Sequence, residues 1–256
     1  MDREVCANTM ITPTFADPPS YQEQENISDE LVQPATYVLR GRFVYAEGSS
    51  STVLYELSRV IHAQGQATTS IEFQRLEYRV RTRSDGAPKV SQRLKHIYNL
   101  IRRPEIVGQD SQCLEGVSSK GLGDINLHKS PFPHSGFRAA RLPNEEDKRC
   151  GRTPNPRHEY YFNVKDKKHG DKGYDFEWTD HNGNTVAEQT AKTRDDGNAE
   201  YVLSVAVPLT RRKIDGLVAL WCLWLWNRHA VATRNSWREA KSIMEKPRMQ
   251  DFRILR

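Results

Sequence analysis

Three residues whose side-chain oxygens could bind a metal lie in one short stretch of the sequence. Asp180, Asn182 and Asn184 have the first three ligand spacings of a calcium-binding EF-hand loop. The pattern then fails, because Thr185 stands where that loop needs glycine and Ala191 stands where it needs glutamate. A tight hairpin turn accounts for the same residues, so the sequence predicts a turn here and no calcium site.

Other side chains that could bind a metal or catalyse a reaction are scattered along the chain. His158 lies beside Glu159 and His169 lies near Asp171, but neither pair has a third ligand at metal-binding spacing. The four cysteines have neither metal-ligand spacing nor the pattern of a disulfide framework. The sequence contains no nucleophile elbow, no phosphate-cradling glycine loop and no zinc pattern. We therefore predict no catalytic residue, no metal and no cofactor.

Two groups of basic residues are candidates for binding an anionic headgroup. Either group could hold a phosphate through charge-assisted hydrogen bonds. The alternatives are an outer sheet face that its arginines keep soluble and an ordinary exposed loop. The first group alternates along one predicted strand and the second crowds a loop: Arg79, Arg81 and Arg83, then Lys165, Lys167, Lys168 and Lys172.

Charge is distributed unevenly along the 256 residues, whose formal net charge is +5. Residues 1–35 contain seven acidic side chains and one basic side chain, whereas residues 228–256 contain eight basic and three acidic ones. The basic surplus is diffuse and is not interleaved with exposed aromatic residues, so nucleic acid is not a predicted partner.

Residues 1–35 are predicted to be a disordered acidic leader, because they are rich in Pro, Ser, Gln and acidic residues and have no periodicity. Within the leader, Pro18, Pro19, Ser20 and Tyr21 spell Pro-Pro-x-Tyr, the form that WW domains bind. The two prolines favour a polyproline II turn, and the tyrosine supplies an anchor for an aromatic groove. The leader therefore predicts a WW-domain partner, with an ordinary Pro-rich linker as the alternative.

Alternating apolar and polar residues between Tyr37 and Val207 predict about nine to eleven β-strands. One long strand spans Ser70–Thr82. Its apolar phase changes between Phe73 and Leu76, which indicates a β-bulge.

The most apolar stretch, Leu217–Trp226, predicts a helix that must be enclosed on every side. Each of its ten residues is apolar, so the helix has no polar face to turn towards water. A bilayer-spanning helix needs roughly 20 apolar residues, and a shorter run is typical of a helix buried inside a protein. Thr210 is the predicted N-cap of this helix. The residues predicted to fill the core from the helix are Leu217, Leu220, Trp221, Trp224 and Trp226.

A closed antiparallel barrel can surround such a helix, and it also removes the edges of the sheet. We therefore predict a mainly β (α+β) domain over residues 36–230, with roughly ten to twelve strands closed around the C-terminal helix. Residues 143–158 are predicted to form a charged surface loop in this domain. Residues 231–256 are predicted to form a basic extension, in which Thr233–Lys246 could be a short amphipathic helix.

Several phrases of the sequence resemble the tubby-like superfamily, which includes the tubby C-terminal domain, the LURP-one-related proteins and the phospholipid scramblases. These phrases are RGRFVYAE, LYELSR, HIYNL, YDFEWTDHNGN and LVALWCLWLW, and the resemblance covers about Tyr37 to His229. It implies a barrel with a central helix and binding of anionic lipid headgroups through basic side chains. Scramblase-like members also have a Pro-rich leader, a palmitoylated cysteine cluster and a calcium site, of which this sequence matches only the leader.

The predicted function is a non-catalytic, tubby-like binding module for an anionic lipid headgroup, such as a phosphoinositide, or for a protein partner. The alternatives are a scramblase-like protein whose segment Leu217–Trp226 enters lipid, and an enzyme whose site is assembled from distant strands. The N-terminus, MDREVCANTM, has no apolar core of a secretory signal, so we predict a cytoplasmic protein, peripheral at a membrane. The sequence leaves the oligomeric state open.

Overall fold

The protein is described here by a computed structural model. Side chains are not described at 80–82, 88, 103, 111, 145–146, 193, 199 and 234–245. The residues that the structure describes are 30–48, 52–65, 67–82, 88–103, 111–118, 121–129, 136–152, 159–166, 176–193 and 199–245.

The fold is a closed antiparallel barrel of 12 strands, and a separate pair of short strands lies at one end. Each barrel strand pairs with its neighbours in the chain, and the last barrel strand returns to the first through the pair Leu203 and Tyr37. The short pair joins Val32 to Leu209. The strands are β1 (Leu31–Val32), β2 (Thr36–Arg40), β3 (Phe43–Ala46), β4 (Val53–Leu57), β5 (Ser70–Thr82), β6 (Pro88–Arg103), β7 (Ser111–Gly116), β8 (Ile125–Lys129), β9 (Phe137–Arg141), β10 (Tyr160–Asp166), β11 (Phe176–Thr179), β12 (Thr185–Thr193), β13 (Ala199–Val205) and β14 (Leu209–Thr210).

Two helices complete the described structure: α1 (Glu145–Arg149) and α2 (Arg211–Glu245). Every residue of α2 from 214 to 227 is buried, so no face of this part of the helix meets water. A helix packed on the outside of a sheet would expose one face. The prediction of a barrel closed around an apolar helix is therefore confirmed. Among the described residues, no helix combines the length and apolarity needed to cross a bilayer.

The side chains of α2 reach opposite walls of the barrel. Trp224 packs against Phe137 and Phe176, with ring centroids 4.6 and 5.4 Å away, whereas Asp215 contacts Tyr55 on the far side of the strand order. Tryptophan is suited to this role because the lumen of a 12-strand barrel is wide. The five predicted core residues, Leu217, Leu220, Trp221, Trp224 and Trp226, are all buried.

The long strand predicted at Ser70–Thr82 is present with those bounds as β5, and the predicted bulge occurs in this strand pair, but its extra residue is Ile97 of β6. The register with β6 shifts between Phe73 and Gln74, within the predicted interval from Phe73 to Leu76. Residues of β5 itself alternate without interruption, so Phe73, which packs on Tyr55, and Arg75, which contacts Asp215 of α2, face the lumen together.

Three element boundaries differ from the predictions. The first is in the leader, because Leu31–Val32 forms β1 and pairs with β14. The second is in the predicted loop over residues 143–158, where α1 forms because Asn144 and Asp147 cap each other's backbone N–H groups. The third is the helix end: α2 continues unbroken to Glu245, since neither glycine nor proline interrupts the chain after His229.

The β5–β6 hairpin extends beyond its neighbours in the barrel. Strand β4 pairs with β5 only at Phe73–Arg75, and β7 pairs with β6 from Tyr98 onwards. Over Leu76–Thr82 the two strands therefore pair only with each other among the described strands. We call this part, residues 76–82 with residues 88–96, the arm; its length is about 23 Å at the usual rise per strand residue.

Candidate functional site

The barrel end at which α2 begins carries an unusual concentration of positive charge. Arg211, Arg212 and Lys213 are the first three residues of the helix, and no acidic residue lies in its first turn. A helix N-terminus carries a partial positive charge and is normally stabilised by acidic side chains. Arg211 is partly neutralised, because its Nη2 lies 3.2 Å from the carboxylate of Glu30. The first turn of α2 therefore carries basic residues at positions where acidic residues would stabilise a helix.

Beneath this end, a buried ion-pair network joins the helix to the barrel wall. Arg75 Nη1 donates to Asp215 Oδ2 at 2.5 Å, and the Tyr55 hydroxyl donates to Asp215 Oδ1 at 2.9 Å. Arg75 Nη2 also donates to Glu77 Oε1 at 2.6 Å. Burial raises the pKa of Asp215, against the lowering effects of Arg75 and of the Tyr55 hydrogen bond. Asp215 is 3% exposed, so this network positions the helix and is closed to an external ligand.

The arm carries basic and apolar residues on opposite faces, because strand residues alternate. Arg75 and Glu77 lie on the face that is continuous with the barrel interior, and Arg79 is the next residue on that face. The cross-strand partners of Glu77 and Arg75 are Arg93 and Lys95, which belong to the same face. The predicted anion-binding residue Arg79 is therefore exposed above the basic barrel end, on the lumen side of the sheet.

The opposite face of the arm is apolar and open to solvent. Tyr78 is 43% exposed, Leu94 is 47% exposed and Val90 is 63% exposed. The buried residue Leu76 lies at the base of this face, paired with Leu94. The arm thus presents exposed large hydrophobic side chains away from the barrel.

A cavity of about 640 Å³ opens at the same barrel end, next to Lys213. This volume is in the range that binds drug-sized ligands, and aromatic and aliphatic side chains form most of the wall. Charged and polar side chains from the β9–β12 side and from α2 complete it. The lining residues are Arg141, Glu159, Tyr160, Tyr161, Phe162, Asp180, His181, Asn184, Val186, Val207, Pro208, Leu209 and Lys213.

The two acidic residues of the cavity wall are already engaged by other groups. Glu159 lies 3.3 Å from Arg152 Nη2. Asp180 accepts hydrogen bonds from the backbone of Asn182 and Asn184, both at 2.9 Å. Slight burial works against these bonds, but they lower the pKa of Asp180, and the carboxylate stays ionised in its turn. Among the described residues, neither acid forms an ion pair with Arg141 or Lys213, and both carboxylates keep their negative charge in the cavity wall.

The two cations of the cavity wall differ in whether an acidic side chain binds them. Arg141 Nη2 donates to Asp147 Oδ2 at 2.5 Å, which fixes the guanidinium and leaves its other N–H groups for further contacts. Lys213 is exposed and forms no ion pair with any residue that the structure describes. The cavity therefore offers one fixed and one free cation above an aromatic wall.

The two predicted basic residues whose side chains are described, Arg79 and Lys165, lie at opposite ends of the barrel. Lys165 pairs across the sheet with Glu177, next to Phe176, which packs against Trp224. Trp224 is nine residues beyond Asp215 in α2, a rise of about 14 Å away from the basic end. The backbone register places Arg81 opposite Lys89, but its side chain is not described. Arg83, Lys167, Lys168, Lys172 and the motif residues Pro18, Pro19 and Tyr21 lie outside the described residues.

The predicted hairpin turn at Asp180–Asn184 is present. Gly183 adopts a φ of +86°, and the Asp180 carboxylate accepts bonds from inside the turn. The same carboxylate would have to bind the metal in a calcium loop. Among the described residues, no three His, Cys, Asp or Glu side chains are grouped so that they could hold a metal ion.

The cavity is the part of the site that sequence reasoning missed. In the sequence, Tyr160 and Tyr161 belong to a strand-like run and Lys213 follows two arginines, and neither pattern by itself predicts a cavity. The cavity joins four strands, one turn and the first turn of α2, and these segments are distant in the sequence. The available signal was the run Arg211-Arg212-Lys213 at a helix start, where acidic residues are normally preferred.

No protein-family model, no curated protein and no solved structure matches this chain. The function is therefore inferred from the geometry of the basic barrel end, together with the sequence patterns.

Proposed function

We propose that this protein is a non-catalytic, tubby-like binding module whose basic barrel end binds an anionic lipid headgroup, such as a phosphoinositide, at a cytoplasmic membrane surface. The observation that carries the proposal is the cavity beside Lys213, where two cations stand over an aromatic wall. A closed barrel around a central helix is also the architecture that the tubby-like resemblance implies.

The chemistry of the cavity favours a ligand with an anionic part and an apolar part. Lys213 and Arg141 can donate charge-assisted hydrogen bonds to phosphate oxygens. Tyr160 and Tyr161 offer ring surface to a sugar ring or a hydrocarbon, while their hydroxyls donate to the carbonyls of His181 and Leu122 at 3.4 and 3.1 Å. Lys213 forms no ion pair with a described residue, so the ligand does not have to displace a counter-ion from it, whereas Arg141 keeps Asp147 as its partner.

The arm supports a membrane as the source of that ligand. It projects from the same barrel end as the cavity, and Tyr78, Val90 and Leu94 are exposed on its apolar face. Apolar side chains that enter the headgroup layer and basic residues that attract anionic lipid act together in peripheral binding. Arg79 and Arg93 supply basic side chains on the arm itself.

The alternatives have less support from the described residues. A scramblase-like mode needs Leu217–Trp226 in lipid, whereas the barrel encloses these residues. An enzyme needs reachable groups with shifted pKa values. One group with a shifted pKa, Asp215, is buried and paired with Arg75 and Tyr55. The Pro18-Pro19-x-Tyr21 motif keeps a WW-domain protein as a second proposed partner.

Vesicle flotation tests this function directly. The protein is expected to float with vesicles that contain phosphoinositide, to stay with the soluble fraction when only neutral lipid is present, and to detach as salt is raised. Lys213→Gln is expected to weaken the partition about five-fold, the equivalent of about 1 kcal/mol for one basic residue at an anionic surface. The matched control Lys165→Gln, at the other barrel end, is expected to leave it unchanged.

A second variant separates the contribution of the arm from that of charge. Replacing Val90 and Leu94 together by serine is expected to reduce flotation by a similar factor at every salt concentration, because apolar contacts are not screened. Binding that ignores headgroup charge, or equal losses for Lys213→Gln and Lys165→Gln, would contradict the proposal.

A further inference from the structure

The leader joins the barrel at the edge of the cavity. The Glu30 carbonyl accepts a hydrogen bond from the Arg211 N–H at 2.8 Å, and the Glu30 carboxylate lies 3.2 Å from Arg211 Nη2. The next residues, Leu31–Val32, pair with Leu209 and Thr210. Leu209 also lines the cavity, so the residues that precede Glu30 enter the molecule beside it.

The charge of the leader is complementary to that of Lys213, whereas the cavity wall as a whole also contains the acids Glu159 and Asp180. Residues 17–29 contain Asp17, Glu23, Glu25 and Asp29 and no basic residue. The cavity wall contains the free cation Lys213. Opposite charges of this kind favour the correct register of a weak contact and raise the rate of encounter.

The apolar residues of the leader also fit the cavity wall. Pro18, Pro19 and Tyr21 supply a proline face and an aromatic ring, and proline-rich segments dock well against aromatic grooves. Tyr160 and Tyr161 supply such a surface in the cavity. The leader thus offers an apolar anchor followed by carboxylates.

The length of chain between this anchor and the barrel permits docking. Tyr21 precedes Leu31 by ten residues, which can span up to about 33 Å when extended. A short tether of this kind gives an effective concentration of about 1 mM. A segment with an intrinsic Kd of about 0.1 mM would therefore occupy the cavity most of the time.

We propose that leader residues 17–29 occupy this cavity as an intramolecular ligand, with Tyr21 against the tyrosine wall and carboxylates facing Lys213. The docked leader excludes an anionic headgroup, so ligand binding requires its release. A WW domain that binds Pro18, Pro19 and Tyr21 would supply that release. The docking depends only on the cavity and the leader, whereas the competition also rests on the proposed function.

Paramagnetic broadening in the full chain tests the docking without any ligand. A nitroxide is attached at Gln22→Cys after Cys6→Ser and Cys150→Ser, since Cys113 and Cys222 are buried and do not react. We expect broadening of the amide signals of Tyr161, His181 and Lys213, but not of Lys165 and Glu177 at the other end. Broadening at Lys213 without broadening at Tyr161 and His181 would overturn the docking, because a free leader also keeps the nitroxide near the junction of Glu30 with Arg211.

A neutralised leader provides the matched control. With Asp17→Asn, Glu23→Gln, Glu25→Gln and Asp29→Asn, the localised broadening is expected to disappear. Persistence of the same broadening would overturn the role of charge complementarity. Neutralising Asp2 and Glu4 instead, which lie farther from the junction, is expected to leave the broadening in place.

Binding of a soluble inositol polyphosphate then tests the competition. The neutralised leader is expected to raise the affinity about tenfold, because an occupant at about 1 mM effective concentration with a Kd of about 0.1 mM reduces ligand binding by that factor. Localised broadening with unchanged affinity would overturn the competition. Localised broadening without headgroup binding by either chain would uphold the docking and refute the proposed function.

Discussion

Replacing Arg75 with methionine is expected to lower the free energy of unfolding by roughly 3–5 kcal/mol, the usual effect of removing one partner from a buried ion pair. The side chain of Asp215 is 5% exposed and that of Arg75 is 12% exposed, so water can replace little of the lost interaction. Of the two hydrogen bonds that Asp215 accepts from Arg75 and Tyr55, only the one from Tyr55 would remain. Urea unfolding followed by tryptophan fluorescence measures the effect.

Two variants control for this interpretation. Glu77→Gln removes the other partner of Arg75, which is 26% exposed, and is expected to lower the free energy of unfolding by less than about 1 kcal/mol. Replacing Arg75 by methionine and Asp215 by leucine together is expected to recover most of the stability, since no buried charge is left unpaired. A double variant as unstable as Arg75→Met would contradict the role of the ion pair.

The Arg75→Met variant should also show a characteristic pH dependence. Burial raises the pKa of Asp215, and Arg75 is the strongest of the influences that oppose this rise. Without Arg75, the folded-state pKa lies further above the unfolded value of about 3.9. Stability from such a group is largest below the unfolded pKa and is lost as pH rises through the folded pKa. The deficit of the variant is therefore expected to shrink as pH falls from about 7 towards about 4. A loss of unfolding free energy that is the same at both pH values would contradict this expected pH dependence.

Gly136→Ala is expected to lower the free energy of unfolding by roughly 3 kcal/mol, through a left-handed backbone and a backbone clash together. Gly136 has a φ of +71°, and a Cβ placed there would lie 1.7 Å from the carbonyl oxygen of Val164. Val164 pairs with Phe137, so relief of the clash requires β9 and β10 to separate. The midpoint of urea unfolding measures the loss.

Gly183→Ala is the matched control for this substitution. Gly183 also has a positive φ, +86°, but a Cβ at that position would meet no atom within 4 Å. Only the conformational penalty of roughly 1–2 kcal/mol is then expected. Equal losses at Gly136 and Gly183 would contradict the role of the clash.

The closed barrel could be predicted because its cause is local in the sequence. The ten apolar residues of Leu217–Trp226 leave a helix without a polar face, and alternating strands are the only other predicted elements available to cover it. The change of apolar phase in β5 has another cause than a bulge in that strand: β5 alternates regularly, and Leu76 and Tyr78 lie on the outer face of the arm. The pairing of Leu31–Val32 with β14 could not be predicted, because two residues carry no periodic signal.

The cavity, by contrast, depends on how distant segments meet. Tyr160, His181 and Lys213 acquire a common function only when the barrel closes and α2 begins at one of its ends. Arg79 illustrates the same limit, because the alternation of β5 could not decide which face turns towards the lumen. The contact between Arg75 and Asp215 decides it, because regular alternation places Arg79 on the same face as Arg75.

Amide chemical-shift mapping of the full chain, titrated to saturation with a soluble inositol polyphosphate, identifies the barrel end that binds an anionic headgroup. We expect the shifts to centre on Tyr160–Phe162, on the Asp180–Asn184 turn and on Lys213. Shifts centred on Lys165 at the opposite end, or no shifts at saturating ligand, would contradict binding at the cavity.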